Sequence, residues 1–156
     1  MTEAEIIIDE QVPLVRIIRE FDAPPEKVFR AHVEPEQFVR WNWEDGYTVT
    51  FDHFDCRSGG SYRITMSGPE MAGSVHGSFH DVVPDELIVQ TFTFDGMPDG
   101  VALEKLRFEP LDGGTRTRLT TTSLVDSFAD RDAFVASGME TGVVEGYERL
   151  DEVLAG

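Results

Sequence analysis

The stretch SFADRDAFVASGMETGVVEGYERLDEVLA, residues 127–155, decides the fold, because it holds the long helical pattern and everything before it reads as a surface in need of cover. Phe134, Gly138, Gly142, Gly146, Leu150 and Leu154 recur every fourth residue, flanked by Val135, Met139, Val143 and Val153. One face is therefore small and apolar. Glu140, Glu145, Glu148, Arg149, Asp151 and Glu152 are directed mostly away from it. Ser127 suits the N-cap, Asp130 and Asp132 suit the positive end of the helix dipole, and Ser137-Gly138 marks where a break would fall. Each glycine inside the helix costs about 1 kcal/mol against alanine. Two readings offset that cost: close packing of helix on sheet, or absent side chains that leave room for a ligand.

The rest of the composition narrows the class. With 40% hydrophobic content, 156 residues make one domain, residues 12–156 behind an acidic lead at 1–11, able to bury roughly 70% of its extended-chain surface. Thirty acidic against thirteen basic residues give a formal charge of −17, which repels phosphate backbones and anionic lipid and argues against nucleic acid as a partner. No apolar run approaches the roughly 20 residues of a membrane span, and MTEAEIIIDEQ lacks the basic-then-apolar order of a signal peptide. The chain is read as cytoplasmic, without membrane insertion. The lone Cys56 excludes an internal disulfide and a multi-cysteine metal site, leaving a small buried thiol or a nucleophile.

Upstream of the helix, VPLVRIIREF (12–21) alternates as a strand, and PPEKVFRAHV and PEQFVRW follow as two short proline-led helices, the first burying Val28, Phe29, Ala31 and His32. From Tyr47 to Leu124 the period changes to two, with turn signals every 8 to 12 residues, which predicts six strands in an antiparallel meander. Tyr47, Val49, Phe51 and His53 share one face, as do Tyr62, Ile64 and Met66, then Ile88, Gln90, Phe92 and Phe94, then Ala102, Glu104, Leu106 and Phe108. A helix of about 25 residues spans roughly 37 Å, long enough to lie across strands of roughly 27 to 33 Å. The expected architecture is α+β: a curved, seven-stranded antiparallel sheet wrapped around a long C-terminal helix, with two short helices after strand one closing one end over a concave apolar space.

The order VRIIREFDAPPEKVFRAHVEPEQFVRW, FDHFDCRSGGSYRITM, GSFHDVVPDELIVQTFTF, GGTRTRLTTT and SGMETGVVEGYERLDEVL resembles the START-like helix-grip superfamily, over roughly Val12 to Ala155. Within it the chain is similar to the branch named for activators of the heat-shock chaperone ATPase. The resemblance implies a small-molecule pocket between sheet and long helix, and supplies no invariant catalytic residue. Relatives often carry a tryptophan after the glycine of the last helix, where this chain has Val143 and Val144 after Gly142. Smaller side chains there would enlarge or reshape the cavity.

On this reading the pocket lining is Trp41, Phe51, Tyr62, Met66, Phe92, Phe94, Phe108, Phe134, Met139 and Gly142, and the ligand is a small hydrophobic or lipid-like molecule. Two residues are candidates for chemistry. His53 shares parity with Phe51 and is an inward proton carrier or an edge-exposed histidine. Glu104 either points into the cavity, where desolvation raises its pKa, or is put in water by a bulge or edge, beside Arg118 or Lys105. His76 and His80, four apart on a strand, lie roughly 13 Å apart and do not make a metal pair. There is no P-loop, dinucleotide fingerprint, nucleophile elbow or zinc spacing, so no cofactor and no metal is expected. A cyclase- or hydrolase-like enzyme in the same pocket is the first rival; a chaperone regulator is the second, weakened by the lack of an additional domain. Self-association as a homodimer is left open.

Overall fold

The alternation of LVRIIREF holds in the computed structural model, which describes residues 3–156: in β2 (Leu14–Phe21) Val15, Ile17, Arg19 and Phe21 are buried and their neighbours are not. Strands β3 (Thr48–Phe54), β4 (Ser61–Ser67), β5 (Ala72–Val83), β6 (Leu87–Phe94), β7 (Ala102–Leu111) and β8 (Arg116–Leu124) follow the predicted meander. All neighbours pair antiparallel, and β2 lies beside β8, so the meander closes back onto the first long strand.

The sheet has eight strands rather than the seven expected. The addition is β1 (Glu5–Ile8), from the acidic lead, which pairs with β2 from Glu5 opposite Ile18 to Ile8 opposite Val15. Its Ile6-Ile7-Ile8 run is β-branched, which favours a pleated strand. The return turn is held by the Asp9 carboxylate, which accepts from the Gln11 and Val12 amides at 2.8 and 3.0 Å.

Register shifts bend the sheet at two places, between Phe51 and His53 in β3 and between Phe79 and Asp81 in β5. Helices α1 (Pro25–Val33) and α2 (Pro35–Asn42) cover one end. In α1 the buried residues are Val28, Phe29, Ala31 and His32, the face the sequence predicts.

The expected single C-terminal helix is two, α3 (Phe128–Ala136) and α4 (Met139–Ala155). Ser127 caps α3 through a 3.1 Å bond from the Asp130 amide. The break is at Gly138, whose φ of 95° lies in the left-handed region that a side chain disfavours. It resets the helical phase. In α4 the buried residues are Met139, Gly146, Tyr147, Leu150, Val153 and Leu154, whereas Gly142 is exposed, with nothing within 4 Å of where a Cβ would stand. The every-fourth stripe through Phe134, Gly138 and Gly142 is therefore not the packed face, and the packing reading applies only from Gly146 onward.

Polar contacts fix α4 in place. The Arg19 guanidinium, buried on β2, donates to both Asp151 carboxylate oxygens at 2.8 and 2.6 Å. Lys27 Nζ donates to the Leu154 carbonyl at 2.6 Å, and Arg149 Nε to the Trp41 carbonyl at 3.0 Å. No helix among the described residues is long and apolar enough to cross a membrane.

Candidate functional site

The cross-strand register arranges the inner face of the sheet in rows. Arg19, Leu119 and Phe108 form the row under α1; Ile17, Thr121, Leu106 and Ile88 form the next; Val15, Ser123, Glu104, Gln90 and Phe79 form the third. Beyond it come Ala102 and Phe92.

The first row is sealed. Phe108 packs edge-on against Phe29 and His32, with centroids 5.4 and 5.2 Å away. Trp41 is buried, donates from Nε1 to the Ala31 carbonyl at 2.9 Å, and stacks on Tyr147 at 6.1 Å. His32 Nδ1 lies 2.8 Å from the Val28 carbonyl, so that nitrogen carries the proton. Burial lowers the His32 pKa to about 4 and keeps the ring neutral, with the Val28 bond opposing in part.

The third row is different. Glu104 shares the inner face of central strand β7 with Leu106 and Phe108, not the opposite face that carries Lys105, and it is half-buried. Its carboxyl accepts from Gln90 Nε2 at 3.0 Å, and Ser123 stands opposite on β8. Burial raises its pKa above the usual carboxylate value, with Gln90 and Ser123 pulling it down in part. Desolvation, and then the charge of Glu104, raises the Tyr62 phenol, and desolvation raises Tyr147. In the neighbouring row, Thr121 Oγ1 is buried without a hydrogen-bond partner, although the Tyr147 phenol is oriented towards it.

Tyr62 reaches this position because its cross-strand partner is Gly77. A Cβ there would stand 1.9 Å from the Thr91 carbonyl and 2.7 Å from the Tyr62 hydroxyl, which donates to that carbonyl at 2.6 Å.

The residues predicted to line the pocket separate into groups. Trp41, Tyr62, Met66, Phe108 and Met139 are buried in the core; Phe51, Phe92 and Phe94 are half-buried against it. Phe134, at 42% exposure, and Gly142 are at the surface. His53 does not face inward. The β3 bulge inserts Asp52, so Phe54 rather than His53 follows Phe51 on the inner face, and the exposed imidazole meets Ser61 Oγ at 2.9 Å. Cys56 is a half-buried thiol that burial, then the Asp55 charge, pushes up to about 12. Gln90, Thr121, Ser123 and Tyr147 were not singled out as site residues. Strand parity with Ile88 and Leu119 carries the signal for the first three; the phase reset at Gly138 hides Tyr147.

Two surface depressions, of ≈ 680 Å³ beside Pro25, Leu87 and Arg107 and ≈ 600 Å³ beside Trp43, Tyr47 and Arg149, lie outside this inner face, and neither includes Glu104. Chemistry rather than size places the candidate site on the third row. Among the described residues no three of His, Cys, Asp and Glu are grouped to hold a metal ion.

A bent antiparallel sheet closed by two short helices and gripping a C-terminal helix defines the helix-grip class. Residues 22–155 match the model of the family described as activator of Hsp90 ATPase homolog 1-like protein, and the chain belongs to that family. Among solved structures it is similar to a Rhodobacter sphaeroides protein at 28% identity and a TM-score of 0.86, with 98% of each chain covered. It is also similar to an Arthrobacter aurescens protein at 26% identity and a TM-score of 0.85, covering 97% of this chain and 91% of that one. A Mycobacterium smegmatis protein, at 20% identity and a TM-score of 0.85 over 96% and 95% of the chains, shares the fold. No curated protein matches the chain.

Proposed function

We propose that the protein binds a small, largely apolar molecule between the inner face of the sheet and α4, with the ligand's polar end at the Gln90–Glu104–Ser123 row. The observation that carries this reading is Glu104: an inward, half-buried carboxyl group on a central strand, accepting from Gln90 Nε2 with Ser123 opposite. A side chain serving only the core would be apolar there, since burying a carboxyl group is unfavourable unless something is gained. The apolar body of the ligand has half-buried Phe92, Phe94, Val135 and Val143 to contact, and burying it supplies about 25 cal/mol per Å².

Native mass spectrometry of the purified protein, compared with the same sample denatured, tests the reading. A reproducible extra mass that leaves on denaturation supports it. A bare mass, with no retention of the neutral probe N-phenyl-1-naphthylamine after it is added, counts against it.

A further inference from the structure

We propose that the ligand's polar end is a cation, an amine carried on an apolar body, for which Glu104 supplies the counter-charge. The inference rests on the ligand-binding reading above and goes further by giving the ligand a charge. Among the described residues no basic side chain hydrogen-bonds or pairs with the Glu104 carboxyl. Its neighbours are the amide of Gln90, the hydroxyl of Ser123 and, further off, the phenols of Tyr62 on β4 and Tyr147 on α4. The inward-facing arginine of the sheet, Arg19, is already paired through both nitrogens with Asp151 and lies 4.7 Å over the Phe21 ring. Lys105 and Arg107 alternate onto the opposite face of β7 and are exposed.

A buried acid with no built-in cation is completed by one that arrives with the ligand. The surroundings favour the same choice. Tyr62 and Phe92 are aromatic neighbours of this row, and an ammonium gains from an aromatic face most strongly where water is excluded. Thr121 Oγ1, towards which the Tyr147 phenol is oriented, is a further buried hydroxyl on the neighbouring row, and an ammonium has three donors. The formal charge of −17 concentrates cations and repels anions at the surface. A neutral alcohol would satisfy the hydrogen bonding but not the charge; a carboxylate would meet repulsion.

Three probes of one shape separate these possibilities: 1-naphthylmethylamine, 1-naphthalenemethanol and 1-naphthoate, titrated by calorimetry in about 0.5 M salt so that surface attraction is screened. The expected result is amine binding about tenfold tighter than alcohol, the margin between charge-assisted and neutral hydrogen bonds, with no detectable naphthoate binding. Glu104→Gln should remove that preference, read as the ratio of amine to alcohol affinity within the variant, a conservative change that keeps the Gln90 contact available. Equal affinities for amine and alcohol, or an amine preference that survives in Glu104→Gln, overturn the cation and leave the pocket standing. Failure of all three probes to bind overturns both.

Discussion

The two ends of the inner face are built from the same strands and do opposite things with buried polarity. Under α1, the His32 ring is enclosed by Trp41 and Phe108, its Nδ1 proton is given to the Val28 carbonyl, and burial keeps it neutral. Two rows away, Glu104 also faces inward but is only half-buried, accepts from Gln90 Nε2, and among the described residues meets no cationic partner. At the first end the polar atom that hydrogen-bonds completes a helical turn and the aromatic rings exclude everything else. At the second the polar groups lie on strands, where side chains project straight into the space between sheet and helix. Burial alone is therefore not what sets the candidate site apart; the row of polar groups Gln90, Glu104 and Ser123 on neighbouring strands is.

The largest contrast should appear on truncation. Trp41→Ala removes a stacked, hydrogen-bonded ring from the sealed end and should cost about 3–5 kcal/mol in urea unfolding. Phe92→Ala, at a half-buried position beside the proposed ligand, should cost about 1–2 kcal/mol. Equal costs would erase the distinction between the two ends.

Acid should separate them next, with opposite signs. The folded-state pKa of His32 is depressed from 6.5 to about 4, so the stability it contributes is present above pH 6.5 and lost as pH falls towards 4, by roughly 3 kcal/mol. In His32→Leu this part of the acid loss should vanish from the stability–pH curve. Glu104 runs the other way: its raised pKa adds stability as pH falls through the folded value towards 4.5, because the neutral form is the one that burial tolerates. Glu104→Gln should therefore be more stable than the wild type at pH 7.5, with the gap narrowing towards pH 4.5. A gap independent of pH would place the Glu104 carboxyl in water.

Much of this was legible in the chain because strand parity is a strong signal. The alternation around Val15, Tyr62, Ile88 and Leu106 made an inward Glu104 one of the two readings, with water at a bulge or edge as the other, and the buried face of the PPEKVFRAHV helix was readable to the residue. Three features were not. The β3 bulge adds one residue with no mark on composition, and it turned His53 outward and Phe54 inward. Gly138 interrupts a pattern that remains periodic on both sides, so Phe134 and Gly142 were assigned to a face that α4 does not present, and Tyr147 was passed over. The Ile6–Ile8 strand was hidden by the acids that flank it, since four residues are too few for a period to show.

The most direct test of the account is a two-dimensional amide NMR titration of the protein with N-phenyl-1-naphthylamine. The expected shifts cluster at Gln90, Phe92, Ala102, Glu104 and Ser123 on the sheet and at Val143 on α4, while Phe29, His32 and Trp41 stay in place. Shifts confined to the surface depressions beside Arg107 or Trp43, with the Glu104 row unmoved, would contradict it.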